Sequence, residues 1–526
     1  MSFNQNKVRP KQIAKPNRNK LYLIIGLTAI ILLAVTLTLA FTSFSDKLSF
    51  VSAPLEIAND GNRQIIRVPV GGNLQEAINK ANSGDIIELQ AGGIYYDIRL
   101  PNKNIPDFIT IQSSGAKNLA PDQIVKPSQT NLMAKIVTRG KGGSAITAEL
   151  SSHHFRFIGI EFSPNSSDYI YNLVDLGTES KKISDVPHHF EFDRCYFHPY
   201  KSGVTRRGMA LNSANTTIKN SYFEGFAFPS EETQAICGWN GTKNVQIINN
   251  YLEGGAENLM FGGSDPVSAD LIPQDIEISK NYFNKPESWK GKNSMKCLFE
   301  LKNAKRVQFV GNYLENNWLG AAFRITVRNQ SGSAPYSTLE DILIQDNIVN
   351  GAGEGINILG KDDTYPSQVI KRITITNNLF LNIGAPKYEG GGYFIQVSDG
   401  EDILIANNTA FNLGNIATIY GKMPRNFSFR DNIVGHGNYG IHSEDGITAK
   451  DWQNLFVNNV IFNSRNISTN DMFIPPNNFQ LQDFKSIGFA NIDQSDYRLT
   501  ANSKFKGKGK NKSDIGSNLS PINKPF

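Results

Sequence analysis

Three stretches of the chain repeat one another: VQIINNYL (245–252), IEISKNYF (276–283) and VQFVGNYL (307–314). Each reads apolar-x-apolar-x-x-Asn-apolar-apolar. The phrase returns in ILIQDNIV (342–349), ITITNNLF (373–380), ILIANNTA (403–410) and FSFRDNIV (427–434). Its asparagine column is Asn250, Asn281, Asn312, Asn347, Asn378, Asn408 and Asn432, at intervals of 31, 31, 35, 31, 30 and 24 residues. Weaker copies, FRFIGIEF (155–162), FEFDRCYF (190–197) and TTIKNSYF (216–223), extend the array backward without an asparagine in that column. Alternation within each copy buries one face, and a bend at the asparagine uses its tolerance of left-handed backbone. A unit this short buries its apolar side only against its neighbours. Short strands without helices at this period predict an all-β fold, a single-stranded right-handed parallel β-helix of about ten or more coils. The asparagines then stack at one corner as a structural ladder. A β-propeller fits less well, because its blades run to about 40–45 residues or more.

Outward from the array, Leu74, Ala77, Ile78 and Ala81 fall at helical spacing, which predicts a short helix capping the open end of the coil. Before it, residues 44–65 read as a linker. The β-helix then occupies 66–500, and 501–526 is a lysine- and glycine-rich tail, read as solvated. Residues 21–43 hold no charge and reach roughly 34 Å as a helix, enough to span a membrane. Six cations and no acid precede them in residues 1–20, the mark of a cytoplasmic tail before a signal anchor. Cleavage after Ala40, at Thr38-Leu39-Ala40, is the alternative. Either reading places the body outside the cytoplasm, at the cell surface or in the periplasm.

Composition narrows the chemistry. The 526 residues carry a formal charge of +5, but the two ends hold the excess cations and the body between is net negative. That excludes a basic nucleic-acid-binding body. Cys195, Cys237 and Cys297 cannot all pair, and Cys195 with His198 makes a lone CxxH, so neither a disulfide scaffold nor a zinc module is expected. His153-His154 and His188-His189 begin two strands 35 residues apart and could stack on adjacent coils; with no acidic cluster nearby they read as surface histidines.

The cap phrase GGNLQEAINKANSGDIIEL (71–89), followed by asparagine-rich coils, resembles the right-handed parallel β-helix superfamily of pectate-lyase-like proteins over residues 66–500. AICGWNG (235–241), AENLMFGG (256–263), LFELKNAKRV (298–307), ENNW (315–318), FRITVRNQ (323–330) and GINILG (355–360) resemble a poorly characterised group of bacterial extracellular β-helix proteins. One segment, LFELKNAKRVQFVGNYLENNWLGAAFRIT (298–326), is similar to the catalytic stretch of the chondroitinase B and alginate lyase family. The resemblance implies a base at Lys302 and an acid at Arg324. That family sets acidic calcium ligands shortly before the lysine, where this chain has Ser294-Met295-Lys296-Cys297. Ca2+ is therefore implied by the family without its expected acidic ligands, and no other cofactor or metal is read.

The residues support a parallel reading of their own. Strand alternation sends Glu300 and Lys302 to one side and Phe299 and Leu301 to the other, while Arg324 and Arg328 face outward between Phe323, Ile325 and Val327. With Asn357 on the next coil, and Glu257 and Asn258 on the one before, they form an outward polar patch about 10–15 Å long. Gln396 extends the row. Such a patch suits an acidic polysaccharide, and a lysine crowded by Arg324 and Arg328 is pushed toward its neutral, basic form. Glu300 works against this. Trp239, Trp289 and Trp318 are sugar-stacking platforms or core residues. Asp362-Asp363 resembles the paired aspartates of polygalacturonase-like β-helices, but it lies in a loop and lacks their downstream motifs.

The sequence therefore reads as a membrane-anchored β-helix acting on acidic polysaccharide, with a β-eliminating lyase first. A non-catalytic carbohydrate-binding or envelope-structural solenoid is the alternative, followed by a uronate epimerase or a glycoside hydrolase.

Overall fold

The computed structural model describes residues 52–61, 63–443, 451, 453–464 and 474–519. The chain divides into Met1–Ser52 and Ala53–Phe526, and only the second unit is described below. The expected anchor at 21–43 lies outside the described residues, among which no helix is long and apolar enough to cross a membrane.

Each coil of the body contributes strands to three faces. The first face holds the apolar-x-apolar part of the repeat, in Lys243–Ile248, Gln274–Ser279, Ala304–Val310, Leu339–Gln345, Lys371–Thr376, Glu401–Ala406 and Arg425–Arg430. These pair in parallel and in register, so Val245, Ile276, Val307, Ile342, Ile373, Ile403 and Phe427 form one buried column. The second face begins at the residue after each ladder asparagine, and the third carries Glu257–Phe261 and Cys297–Leu301. Strands Tyr313–Thr326 and Ile348–Leu359 run unbroken from the second face into the third. Every strand pairing but two is parallel among the described residues. Single strands would leave one side of each apolar repeat wet; stacking them into a coil buries it in one continuous core from Ile66 to Ile461.

The ladder lies at the corner between the first two faces. The amide of Asn250 donates to Oδ1 of Asn281 at 3.0 Å, and this contact recurs through Asn312, Asn347, Asn378, Asn408 and Asn432. It runs on through Asn459 and Asn478, beyond the column read from the sequence. It also starts earlier: Ser221 N donates to Asn250 Oδ1 at 2.9 Å, and Cys195 N to Ser221 Oγ at 3.0 Å. The weak copies thus place serine and cysteine where the later coils place asparagine. The bend differs from the expectation in one respect. The left-handed residue is the one before the ladder asparagine, at Asn249, Lys280, Gly311, Asp346, Asn377, Asn407 and Asp431. The ladder side chain must point inward to reach carbonyls of the preceding coil, so its neighbour takes the turn.

The capping helix forms over Leu74–Lys80, with Asn73 accepting from Glu76 N and with Leu74, Ala77 and Ile78 buried. Lys103 Nζ closes its far end on the carbonyls of Ile78, Asn79 and Ala81. Part of the expected linker is ordered. Glu56–Asp60 pairs antiparallel with Arg63–Val68 and covers the first edge of the sheet. Its polar, mostly exposed residues hid it from pattern reading. The tail is likewise not all solvated. Phe505 and Ile515 are buried with Ile433, Val460 and Phe462, and Gly516, Ser517 and Asn518 donate backbone bonds to Asp431, Thr409 and Asn377. The lysines between them stay at the surface, which is what the charge pattern reported.

Candidate functional site

On the third face, strand register stacks Ala210, Cys237, Met260, Glu300, Arg324, Asn357, Gln396, Thr418 and His442 in one outward row. Its first part is apolar: Ala210, Cys237 and Met260 pack with Trp239, over whose ring Arg207 lies at 4.8 Å. From Glu300 onward the row is polar. Trp239 is thus a cover for the apolar stretch rather than an open sugar platform. Trp318 is also buried, stacked on Tyr388 at 5.2 Å with its indole N–H donating to Lys285 O at 3.1 Å. Trp289 lines a different cleft.

The centre of the region is a buried ion cluster that the sequence reading missed. Lys296 Nζ stands 3.0 Å from Glu257 Oε1 and 2.8 Å from Glu300 Oε2. Gln234 Nε2 donates to Glu257 Oε2 at 2.7 Å, and Lys302 Nζ is 3.8 Å from Glu300 Oε2. Glu257 and Glu300 are 0% and 1% exposed, so neither is the substrate-contacting group expected of it. Asn258 is equally buried, and its amide holds the carbonyls of Leu252 and Asn284 at 2.8 Å each. Burial drives both carboxyls toward their neutral forms. Lys296 and Gln234 reverse this at Glu257, which stands below the ordinary carboxylate value, whereas Glu300, burdened further by the Glu257 charge, stands above it. Burial alone would pull Lys296 down, but the two carboxylates hold its ammonium above the usual lysine value. The only signal in the sequence was Lys296 itself, in the place where acidic calcium ligands were sought.

That cluster decides the question of calcium. Two buried carboxylates face one another, as a calcium site requires, yet the place between them is taken by the Lys296 ammonium. The residues present do not fit Ca2+.

Beside the cluster, Arg324 is the register partner of Glu300 on one side and Asn357 on the other. The residue is half-buried, and its Nε is buried without an acceptor among the described residues. Lys302 follows Leu301, the partner of Ile325, so strand geometry sets the Lys302 and Arg324 backbones about 8 Å apart. Lys302 is 9% exposed. Arg328 lies against Lys302, its backbone N–H donating to Lys302 O at 2.9 Å, but its charge is already met. It is bound by Asp362 at 3.2 Å and by Asp363, and Asp362 also accepts from Asn329 N at 2.7 Å. The aspartate pair is therefore a clamp for the 328–329 loop rather than a hydrolytic pair. Asn357 donates to Gln396 Oε1 at 2.9 Å, Tyr420 reaches Asn357 Oδ1 at 3.3 Å, and Tyr393 joins Gln396 to Glu354. The open part of the site is thus Arg324, Asn357 and Gln396, with Lys302 at its edge.

A second concavity of about 640 Å³ lies at the corner between the second and third faces, lined by His198, Tyr200, Glu224, Glu253 and Trp289 among others. Tyr251 O–H donates to Glu253 Oε1 at 2.5 Å, and Gly225 N to its other oxygen at 3.0 Å. Burial above all pushes Glu253 up to about 7. A carboxyl raised in the fold keeps its proton while the unfolded chain loses one, so its contribution is full below about pH 4.5 and is lost as pH rises through about 7. Wild-type unfolding free energy should fall across that window with a slope of up to about 1.4 kcal/mol per pH unit from this group. Urea titrations at several pH values should show a flatter slope in Glu253→Gln; an unchanged slope would rule the assignment out.

Searches with family models and among curated proteins found no match. Among solved structures, a PL6-family alginate lyase aligns at 15% identity and a TM-score of 0.46, covering 88% of this chain and 58% of its own. A PL6-family polysaccharide lyase from Pseudopedobacter saltans aligns at 13% and 0.46, covering 88% of this chain and all of its own. A surface adhesin of Streptococcus pneumoniae aligns at 12% and 0.42, covering 78% and 95%. This chain thus spans under two thirds of the first of these. The stacked parallel register, continuous over three faces, gives this protein a parallel β-helix fold.

Proposed function

We propose that the third face grips an acidic polysaccharide and cleaves it by β-elimination. The observation that carries this reading is Arg324: a half-buried arginine in mid-row that forms no ion pair among the described residues, beside a lysine one coil away. A uronate carboxylate pairs with the part of that guanidinium left open to solvent, and N–H···O bonds there would hold it and spread the charge that develops at the neighbouring carbon. Lys302 is the base that takes the proton from carbon 5. The electron pair forms the double bond between carbons 4 and 5 as the bond from carbon 4 to the bridging oxygen breaks. Arg324 or a water it orients returns a proton to that oxygen. The products are an unsaturated uronate and a shortened chain, with no metal routed through any step. Asn357 and Gln396 bind hydroxyls of adjoining sugars, about 4.8 Å apart along the row.

A non-catalytic carbohydrate-binding role for the same face is the second reading, favoured by the small exposure of Lys302. In either case the body works outside the cytoplasm, tethered through 21–43.

The test is absorbance near 235 nm (from the unsaturated product) with the full chain in detergent micelles and alginate, pectate, chondroitin and dermatan offered in turn. Arg324→Ala and Lys302→Ala are each expected to lower the rate by about a hundredfold. Binding without any rise in absorbance on all four chains selects the binding role. Loss of neither binding nor rate in Arg324→Ala would remove this face from consideration.

A further inference from the structure

Four of the chain's seven histidines form one block on the first face, outside the site above. His153 and His188 are register partners, stacked at 4.8 Å with planes 3° apart. His154 and His189 stack at 4.5 Å and 8°. Consecutive residues in a strand point to opposite sides, so adjacent histidines should diverge. Here they converge because His154 and His189 take left-handed backbone, φ 60° and 56°. The result is unusual chemically. His153 Nδ1 lies 2.7 Å from His154 Nδ1, and His188 Nδ1 lies 2.6 Å from His189 Nδ1. Two imidazole nitrogens at that separation cannot both present lone pairs, nor both present protons; each pair must share a proton or a cation.

Ligand nitrogens of His153, His154 and His188 all lie within 4.8 Å of one another, and the rings are half-buried, leaving a path for an ion. We propose that His153, His154 and His188 bind a divalent transition ion of the zinc and copper class. Neutral imidazoles suit such ions and leave calcium and magnesium unbound. Asp107 lies close enough to His154 to supply a counter-charge for the ion. His189 packs behind His154 and holds its ring. An ion held across two coils would fasten them together, in a part of the array where Cys195 and Ser221 stand in the ladder column instead of asparagine.

The experiment is titration of the full chain in detergent micelles with Zn2+ and with Cu2+, followed by calorimetry and, for Cu2+, by electron paramagnetic resonance. One equivalent should bind, with at least three nitrogen couplings in the copper spectrum. His154→Asn keeps a residue that tolerates left-handed backbone and removes one ligand. His188→Asn does the same on the next coil. Each should weaken binding by at least about tenfold, and Zn2+ should raise the melting temperature of the wild type but not of these variants. Saturable binding that both variants retain, fewer than three nitrogen couplings, or no binding at all would overturn the assignment. Circular dichroism of the metal-free variants verifies that they are folded, so a loss of binding is read as loss of ligands.

Discussion

Lys296→Met is expected to destabilise the protein by about 3–5 kcal/mol, the usual cost of leaving a buried charge without its partner. The methionine fills most of the volume, so packing loss contributes little. What remains is Glu257 and Glu300, both buried, with the ammonium that bridged them at 3.0 and 2.8 Å removed. They cannot both stay ionised. Each carboxyl then holds its proton in the fold to higher pH than in the unfolded chain, so the deficit is smallest in acid and grows as pH rises. The measurement is the urea midpoint at pH 5 and pH 8, with the m-value checked for constancy. Adding Glu300→Gln to the variant should recover part of the loss, because one carboxylate no longer needs neutralising. A loss below about 1 kcal/mol at pH 8 would mean that water reaches the cluster and screens it.

The second large effect is expected at the ladder. One asparagine side chain, Asn312, makes four hydrogen bonds: to Ile278 O and Asn347 Oδ1, and from the backbone and side-chain nitrogens of Asn281. Asn312→Ala leaves the Ile278 carbonyl and the Asn281 N–H without those partners in a site that is fully buried. Two such orphans at about 1–3 kcal/mol each set the expected loss at about 2–6 kcal/mol. Asn478 ends the row and is partly exposed, so water can replace what Asn478→Ala removes. Its expected loss is about 1 kcal/mol. Equal losses at the two positions would show that the ladder is not a continuous buried network.

Most of the fold was legible because it is periodic. Each repeat states its apolar column afresh, and Asn250 through Asn432 name the corner seven times. The site was less legible for a physical reason. Register along the third face is fixed by the array, so Glu300, Arg324, Asn357 and Gln396 could be aligned from the sequence alone. Exposure is not periodic. Whether an outward residue meets solvent depends on the loop that folds over it, and Lys296, arriving from the 284–296 loop, covers Glu257 and Glu300. Arg328 was misjudged for the same reason, since Asp362 and Asp363 come from a loop one coil later. Trp239 and Trp318 could not be assigned to surface or interior without knowing what lies on top of them. The terminal hairpin carries no alternation to read, and the tail hid two apolar residues among its lysines.

The left-handed residue before each ladder asparagine has a consequence for how the chain can vary. Interval length between ladder positions runs from 19 to 35 residues, yet the corner keeps one turning residue and one inward side chain throughout. A single added residue there would reverse inside and outside for the rest of the coil and break two rungs at once. The same addition among the exposed residues 290–292 or 330–333 only lengthens a rim. Heritable change can therefore reshape the loops around the third face again and again while the hinge line opposite stays closed to it.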